Sequence, residues 1–143
     1  MHFQSDIVVE RSRHAVTTFF EDPQSLVMWD KSVAKIEPTS SGTAAVGFSF
    51  DTIAPNGQRL SYRITEHEPG RQSTIELMPS KMFKRAIWVM RYHQLTSGTR
   101  VTCEVDFTLR PHYLFLLLPL VLTQRKALAR DMASLKSAIE AND

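Results

Sequence analysis

The sequence of 143 residues predicts an α+β fold in which a curved antiparallel sheet wraps around one long C-terminal helix. Two observations lead to this prediction. Segments between residues 3 and 110 alternate apolar and polar side chains, the pattern of strands that have one wet face. After Pro111 the apolar residues instead recur at helical steps of three, four or seven. A sheet that curves around a helix leaves a lined hollow, so this order also predicts a small-molecule cavity.

The first strand is predicted over residues 3–10, with its apolar side chains on one face. Ser12 then fits the N-cap of a short helix that ends near Asp22. A second short helix is predicted over residues 23–29, because Pro23 is favourable in a first helical turn.

The middle of the chain is predicted to be a meander of strands separated by turns that contain Gly or Pro. Asn56 and Gly57 tolerate positive φ and indicate a tight hairpin. The further strands are predicted over residues 33–39, 46–53, 60–64, 72–78, 83–95 and 100–109. Their alternation places Arg85, Arg91, Glu104 and Asp106 on the convex, wet face.

The C-terminal helix is predicted over residues 119–141, with one apolar stripe that faces the sheet. The stripe consists of Leu117, Val121, Leu128, Met132, Leu135 and Ile139. The apolar run over residues 113–122 has about half the length needed to span a bilayer and contains Pro119, so we do not expect a transmembrane helix.

Composition limits the functional classes. The length indicates a single domain over residues 1–143. The only cysteine, Cys103, excludes an intramolecular disulfide, and the N-terminus lacks the features of a secretory signal, so we expect a cytoplasmic protein. Lys and Arg number 17 against 15 Asp and Glu, a balance that argues against a nucleic-acid partner.

Four short motifs support a resemblance to a known family. They are Asp22-Pro23 ahead of Trp29-Asp30, Val46-Gly47 at the start of a strand, residues 62–66 ahead of Pro69, and residues 98–102. With the order of elements, they make nearly the whole chain resemble the polyketide cyclase/dehydrase-like branch of the START-related superfamily, also called SRPBCC or Bet v 1-like.

This resemblance implies a helix-grip fold: a seven-stranded antiparallel sheet around the C-terminal helix, two short helices after the first strand, and an enclosed apolar pocket. Proteins that share the pattern include aromatic polyketide cyclases, lipid and sterol carriers, quinone-binding proteins and hormone receptors. The motifs are mainly signatures of folding, so the resemblance implies the fold more strongly than the function.

The residues predicted to face inward are the candidates for lining a ligand cavity. They are Phe48, Phe50, Tyr62, Ile75, Leu77, Trp88, Met90, Tyr92, Cys103, Val105, Phe107, Leu117, Val121, Gln124 and Leu128. Periodicity does not separate cavity lining from ordinary core. Within the set, Tyr62, Trp88, Tyr92 and Gln124 are favoured because a buried polar group needs a partner that a ligand can supply. Trp29 is interpreted instead as an anchor of the short helices.

No catalytic, metal or cofactor site is predicted. The histidines are His2, His14, His67, His93 and His112, and none has the spacing of a metal site. His67 and His93 are interpreted as solvated edge residues, and Cys103 as an inert buried thiol. Glu66 shares a predicted face with Tyr62, but we expect it to be hydrated at the strand end, because Pro69 and Gly70 follow.

Three functional hypotheses remain. The first is binding of a hydrophobic small molecule of the lipid, isoprenoid quinone or aromatic polyketide type. The second is a cyclase/dehydrase-like enzyme that acts by positioning its substrate. The third is a module that binds a protein or an anionic membrane through the apolar helix start and the basic segment over residues 80–85.

Overall fold

The computed structural model describes residues 1–141, which form one antiparallel sheet and one long helix joined by shorter helical segments. In chain order the elements are β1 (His2–Val9), α1 (Arg13–Glu21), a 3₁₀ turn (Pro23–Ser25), α2 (Leu26–Trp29), β2 (Lys35–Pro38), β3 (Ser49–Ile53), β4 (Arg59–Glu68), β5 (Gln72–Leu77), β6 (Phe83–Leu95), β7 (Gly98–Leu109), a 3₁₀ segment (Pro111–Leu116) and α3 (Leu117–Ala141). These elements confirm the predicted helix-grip fold.

The described residues form seven strands in the order β1-β7-β6-β5-β4-β3-β2. The five hairpins from β2 to β7 follow the chain, whereas β1 pairs with the last strand, with Phe3 opposite Val105. The two ends of the sheet are therefore β1 and β2, which are connected through α1 and α2.

The starts of the helices follow the predicted caps. Ser12 Oγ accepts a hydrogen bond of 3.2 Å from the backbone N–H of Ala15, as expected of an N-cap. Asp22 Oδ1 accepts one of 3.0 Å from the N–H of Gln24, so the second segment begins as a 3₁₀ turn before α2. Helix α3 begins at Leu117, two residues before the predicted start. Pro119 is tolerated in the first turn because the N–H groups of that turn have no intrahelical acceptor.

The predicted faces of β6 and β7 are confirmed. Arg91 Nη1 lies 2.5 Å from Glu104 Oε2 on the convex face, and Arg85 and Asp106 are exposed on the same side. Cys103, like its inward neighbours, is buried on the concave face.

Strand β4 departs from the predicted alternation at a β-bulge. Ile64 pairs with Ile75, but Glu66 pairs with Thr74, so Thr65 is an extra residue on β4. Because strand faces alternate, one extra residue exchanges the faces of the residues that follow it. Glu66 is consequently exposed on the convex face, where the Thr74 hydroxyl donates a 3.3 Å hydrogen bond to it. The predicted inward parity of Glu66 is wrong, although its exposure agrees with the expected hydration.

Helix α3 packs against the side of the sheet formed by β1 and β7. Leu135 and Ile139 are 0% and 2% exposed in the core there. Near the C-terminal end of the helix, Lys136 Nζ donates to the Val8 carbonyl at 2.8 Å, and Glu140 Oε2 accepts from the Glu10 N–H at 2.8 Å. These bonds fix the helix along the edge strand β1.

We predict unequal effects of two Leu→Ala substitutions on α3. Leu135→Ala should lower the free energy of unfolding by about 2–5 kcal/mol, because it leaves a cavity in the packed core. Leu122, which is 57% exposed on the same helix, provides the matched control, and its replacement by Ala should change stability by less than about 0.5 kcal/mol. Urea unfolding followed by circular dichroism measures both values. Equal losses would contradict the packing of α3.

Candidate functional site

Aromatic side chains cluster on the concave face of the sheet. Tyr62 and Trp88 meet edge to face with their ring centroids 5.6 Å apart, and Phe50 stacks on Tyr62 at 5.6 Å. Toward the short helices, Tyr92 contacts Phe20 with a centroid distance of 5.3 Å. Adjacent strands bring these rings together because Phe50 pairs with Tyr62 in the β3–β4 register.

The predicted lining residues divide into three groups by exposure. Phe48, Phe50, Leu77, Met90, Cys103, Val105, Phe107 and Val121 are buried in the core. Tyr62, Ile75, Trp88, Tyr92, Leu117 and Leu128 are half-buried. Gln124 is exposed on α3, so the prediction of a buried amide there is wrong. Tyr62, Ile75, Trp88 and Tyr92 are therefore less completely covered than the buried residues of the same face.

Two hollows adjoin α3. One, of about 250 Å³, lies between β1 and α3 and includes Phe3, Ser5 and Leu128 in its lining. The other, of about 460 Å³, is an open groove between Met28 of α2 and Ser134 and neighbouring residues of α3. Tyr62, Trp88 and Tyr92 line neither of these two hollows, so the predicted cavity around those three residues remains a prediction.

Asp131 places a carboxyl group on the flank of α3 that adjoins the sheet. It follows Leu128 by three residues and precedes Leu135 by four, so it borders the apolar stripe of the helix. The side chain is half-buried. Burial, together with the charge of Asp30, raises the pKa of Asp131 to about 6, while Arg130 and Lys31 act in the opposite direction.

The same region shifts the pKa of two further groups. Burial raises the pKa of the Cys103 thiol to about 12, with a contribution from the charge of Asp131. Burial also raises the pKa of Tyr62 to about 12, where a hydrogen bond with Thr52 opposes the effect and the charge of Asp30 adds to it. Both groups are therefore neutral near pH 7. The charge of Asp30 thus acts on both Tyr62 and Asp131, and the charge of Asp131 acts on Cys103.

Burial likewise raises the pKa of Tyr92, with a further contribution from Cys103. Its hydroxyl is neutral at physiological pH. The two tyrosines of the concave face thus remain O–H donors, which suits the recognition of a neutral oxygen acceptor.

Trp29 carries a buried indole N–H. Its ring contacts Phe20 with a centroid distance of 6.3 Å, which agrees with its interpretation as an anchor of the short helices. Among the residues described by the structure, however, nothing accepts a hydrogen bond from its Nε1. A buried donor without a partner costs about 1–3 kcal/mol.

His67 lies on the concave side, contrary to the sequence prediction. The bulge at Thr65 turns it inward, where it pairs with Ser73, and its Nδ1 lies 2.6 Å from Ser73 Oγ. The side chain is half-buried. His93, in contrast, is exposed as predicted.

The concave side therefore combines an aromatic wall with a small number of polar groups, the usual chemistry of a small-molecule site. The sequence analysis missed Asp131, His67 and the unpaired donor of Trp29. A signal for Asp131 was present, because an acidic residue beside Leu128 and Leu135 interrupts the inner flank of an amphipathic helix. The inward position of His67 had no sequence signal, because the bulge depends on pairing with β5.

Within residues 1–141, no three His, Cys, Asp or Glu side chains are arranged to hold a metal ion. No helix in the same range is both long and apolar enough to cross a membrane.

Comparison with known proteins gives a family match over almost the whole chain. The model of the family described as polyketide cyclase / dehydrase and lipid transport matches residues 1–140. No curated protein sequence matches the chain.

Solved structures share the fold at low sequence identity. Protein MLL2253 from Mesorhizobium loti has a TM-score of 0.79 at 14% identity, over 100% of this chain and 99% of the other. Norcoclaurine synthase from Thalictrum flavum has a TM-score of 0.73 at 11% identity, over 99% and 84%. The di-domain ARO/CYC protein BexL from the BE-7585A biosynthetic pathway has a TM-score of 0.77 at 12% identity, over 100% of this chain and 48% of that protein. At these identities the likeness shows the fold alone.

We predict that Asp131→Asn removes a pH-dependent loss of stability. The pKa of Asp131 is raised from 3.8 to about 6, so the folded state holds this proton more tightly than the unfolded state does. Stability must then fall as pH rises from about 4 to about 6, and Asn should abolish that fall. The full linkage value is about 3 kcal/mol, and screening of a half-exposed carboxyl reduces the expected gain at pH 7 to about 1 kcal/mol.

Urea unfolding of both proteins at pH 4 and pH 7 measures this effect. Asp6→Asn is the matched control, because Asp6 is exposed on β1. A gain from Asp131→Asn that is equal at the two pH values would contradict the burial of the charged carboxyl.

Proposed function

Because the chain belongs to the polyketide cyclase / dehydrase and lipid transport family, we propose that it binds a hydrophobic small molecule between the concave face and α3. The observation that carries this proposal is the half-burial of Tyr62, Trp88 and Tyr92 on the concave face. Large aromatic side chains that remain accessible to water gain free energy when an apolar ligand covers them.

The polar groups restrict the ligand chemistry. The unpaired N–H of Trp29 and the neutral hydroxyl of Tyr62 favour a ligand that carries hydrogen-bond acceptors, such as carbonyl oxygens. An isoprenoid quinone or an aromatic polyketide has such carbonyls on an apolar body, and a lipid ester has them as well.

The charge of the site disfavours anionic ligands. The charge of Asp30 acts on Asp131, and a ligand carboxylate placed directly beside these two side chains would meet like charges, which Arg130 and Lys31 partly offset. We therefore infer that the ligand presents a neutral group, or a donor, to Asp131. A free carboxylate directly beside Asp131 is the less favourable binding mode.

A second function, cyclisation of a poly-β-ketone, is favoured by the position of Asp131. Its raised pKa makes it a base of useful strength near neutrality. The carboxylate would take a proton from a methylene between two carbonyls, and the resulting carbanion would attack another carbonyl carbon of the same chain. The new C–C bond leaves an alkoxide, to which Asp131 returns the proton. Tyr62 would donate a hydrogen bond to the enolate oxygen.

We predict that a charge on the concave face weakens ligand binding, whereas the same charge on the convex face does not. The uncharged fluorophore N-phenyl-1-naphthylamine is the probe. Ile75 and Ile87 are both half-buried, but Ile75 pairs with Trp88 on the concave face, whereas Ile87 pairs with Glu76 on the convex face. Ile75→Lys should weaken probe binding about tenfold or more, because the ligand must then desolvate an ammonium group.

The control, Ile87→Lys, should retain the affinity of the parent, and circular dichroism establishes that both variants fold. As a separate measurement, native mass spectrometry of freshly purified parent protein detects any co-purified ligand. Equal probe affinity in the two variants would refute binding on the concave face.

The cyclase hypothesis predicts a separation of turnover from binding. With a synthetic poly-β-ketone thioester as substrate, Asp131→Asn should lower the rate of ring closure about a hundredfold while substrate affinity is retained. Asp6→Asn should leave the rate unchanged. Absence of turnover by the parent, or full turnover by Asp131→Asn, would rule out this second function and leave the binding function in place.

A further inference from the structure

The segment that leads into α3 exposes four large apolar side chains. Leu114, Phe115, Leu118 and Leu122, here called the apolar ridge, are 55%, 77%, 69% and 57% exposed. Phe115, Leu118 and Leu122 follow one another at steps of three and four residues, so they lie on one side of consecutive turns. A contiguous exposed apolar surface on a folded protein marks an interaction site.

Cations surround the apolar ridge. Arg125 and Lys126 are exposed on the turn of α3 that follows Leu122, and Arg110 precedes the 3₁₀ segment. Residues 107–130 contain no Asp or Glu. The apolar ridge therefore lies within a stretch of chain that carries positive charge alone.

The loop between β5 and β6 adds further cations to the same pole of the molecule. Arg110 donates from its backbone N–H to the Met82 carbonyl at 2.9 Å and from Nε to the Ser80 carbonyl at 2.8 Å. These bonds hold Lys81 in the loop, and Lys84 at the start of β6, near the start of the 3₁₀ segment. Residues 77–103 also lack Asp and Glu.

Among residues 1–141, the cations Lys81, Lys84, Arg125 and Lys126 form no ion pair with a carboxylate. The basic loop and the apolar helix start, which are about 30 residues apart in the chain, thus form one surface of apolar side chains with a cationic surround.

We propose that this surface docks on an anionic lipid bilayer, with the apolar ridge inserted among the headgroups. The pattern of charge and apolar side chains favours a bilayer as the partner. Anionic lipid phosphates complement the surrounding cations, and the acyl chains cover the leucine and phenylalanine side chains. A second copy of the chain is disfavoured, because a symmetric contact would place the two cationic surrounds opposite each other. The ridge protrudes, and a fluid bilayer accepts a protruding helix without a preformed pocket.

This inference does not depend on the identity of the ligand. Leu117 and Val121, which contact the core, lie on the same first turns of α3 as Leu118 and Leu122. Docking would therefore bring the helix that borders the proposed ligand site onto the lipid surface. Binding of N-phenyl-1-naphthylamine and binding to vesicles are separate measurements, so the failure of one proposal leaves the other testable.

Vesicle flotation of the full chain tests the proposal. We expect binding to vesicles of equal parts phosphatidylcholine and phosphatidylglycerol, little binding to phosphatidylcholine alone, and weaker binding at high salt. Phe115→Ser should reduce the partition coefficient about tenfold or more, because it removes an inserted aromatic side chain. Replacing both Arg125 and Lys126 by Gln should reduce it about fivefold per cation.

Matched controls use residues outside this surface. Val46, which is 64% exposed, provides the apolar control Val46→Ser, and Arg71, with a side chain 76% exposed, provides the cationic control Arg71→Gln. Both should bind vesicles like the parent. Equal binding to neutral and anionic vesicles, or no binding to either, would overturn the proposal. Light scattering provides a further test. If the parent is a dimer that binds no vesicles, and Phe115→Ser converts it to a monomer, a second copy of the chain is the occupant and the proposal is overturned.

Discussion

The pairing of β1 with β7 is the constraint on which the rest of the structure depends. It joins the first strand of the chain to the last, and together they form the platform for α3. The hydrogen bonds of Lys136 and Glu140 with the end of β1 fix the helix along this side. Helix α3 therefore follows the β1 side of the sheet, while Trp88 and Tyr92 on β6 and Tyr62 on β4 remain half-buried.

Two polar groups on the concave side, the Asp131 carboxyl and the Trp29 indole N–H, fit a ligand-binding site better than a fully packed core. A carboxyl with a raised pKa indicates that the fold holds Asp131 where its ionised form is poorly solvated. Such a group lowers stability at neutral pH, and so does a buried indole N–H without a partner. Two unfavourable features on the same side of the sheet are easier to understand if a ligand compensates for them, because local costs concentrate where a protein binds or reacts.

Charge is also distributed unevenly along the molecule. The acidic residues Asp30 and Asp131 are close to the concave site, whereas residues 107–130 and 77–103 carry cations alone. The formal net charge of +2 conceals this separation. The two proposals differ accordingly: the proposed ligand meets Asp30 and Asp131 together with the nearby cations Lys31 and Arg130, whereas the proposed lipid surface meets cations alone. A neutral apolar ligand and an anionic lipid surface are compatible proposals for one small domain.

The sequence by itself determined the features that depend on neighbouring residues. Alternation identified the strands and their faces, including Arg91 and Glu104 outside and Cys103 inside, because the side-chain period of a strand is local. Ser12 and Pro23 marked the helix starts for the same reason. Only the tertiary structure decided the bulge at Thr65, which exchanged the faces of Glu66 and His67, because a bulge is defined by the partner strand. It likewise decided that Tyr62 is half-buried and that the charge of Asp30 acts on Asp131. Exposure and pKa depend on where α3 packs, and that position is set by contacts between residues far apart in the chain.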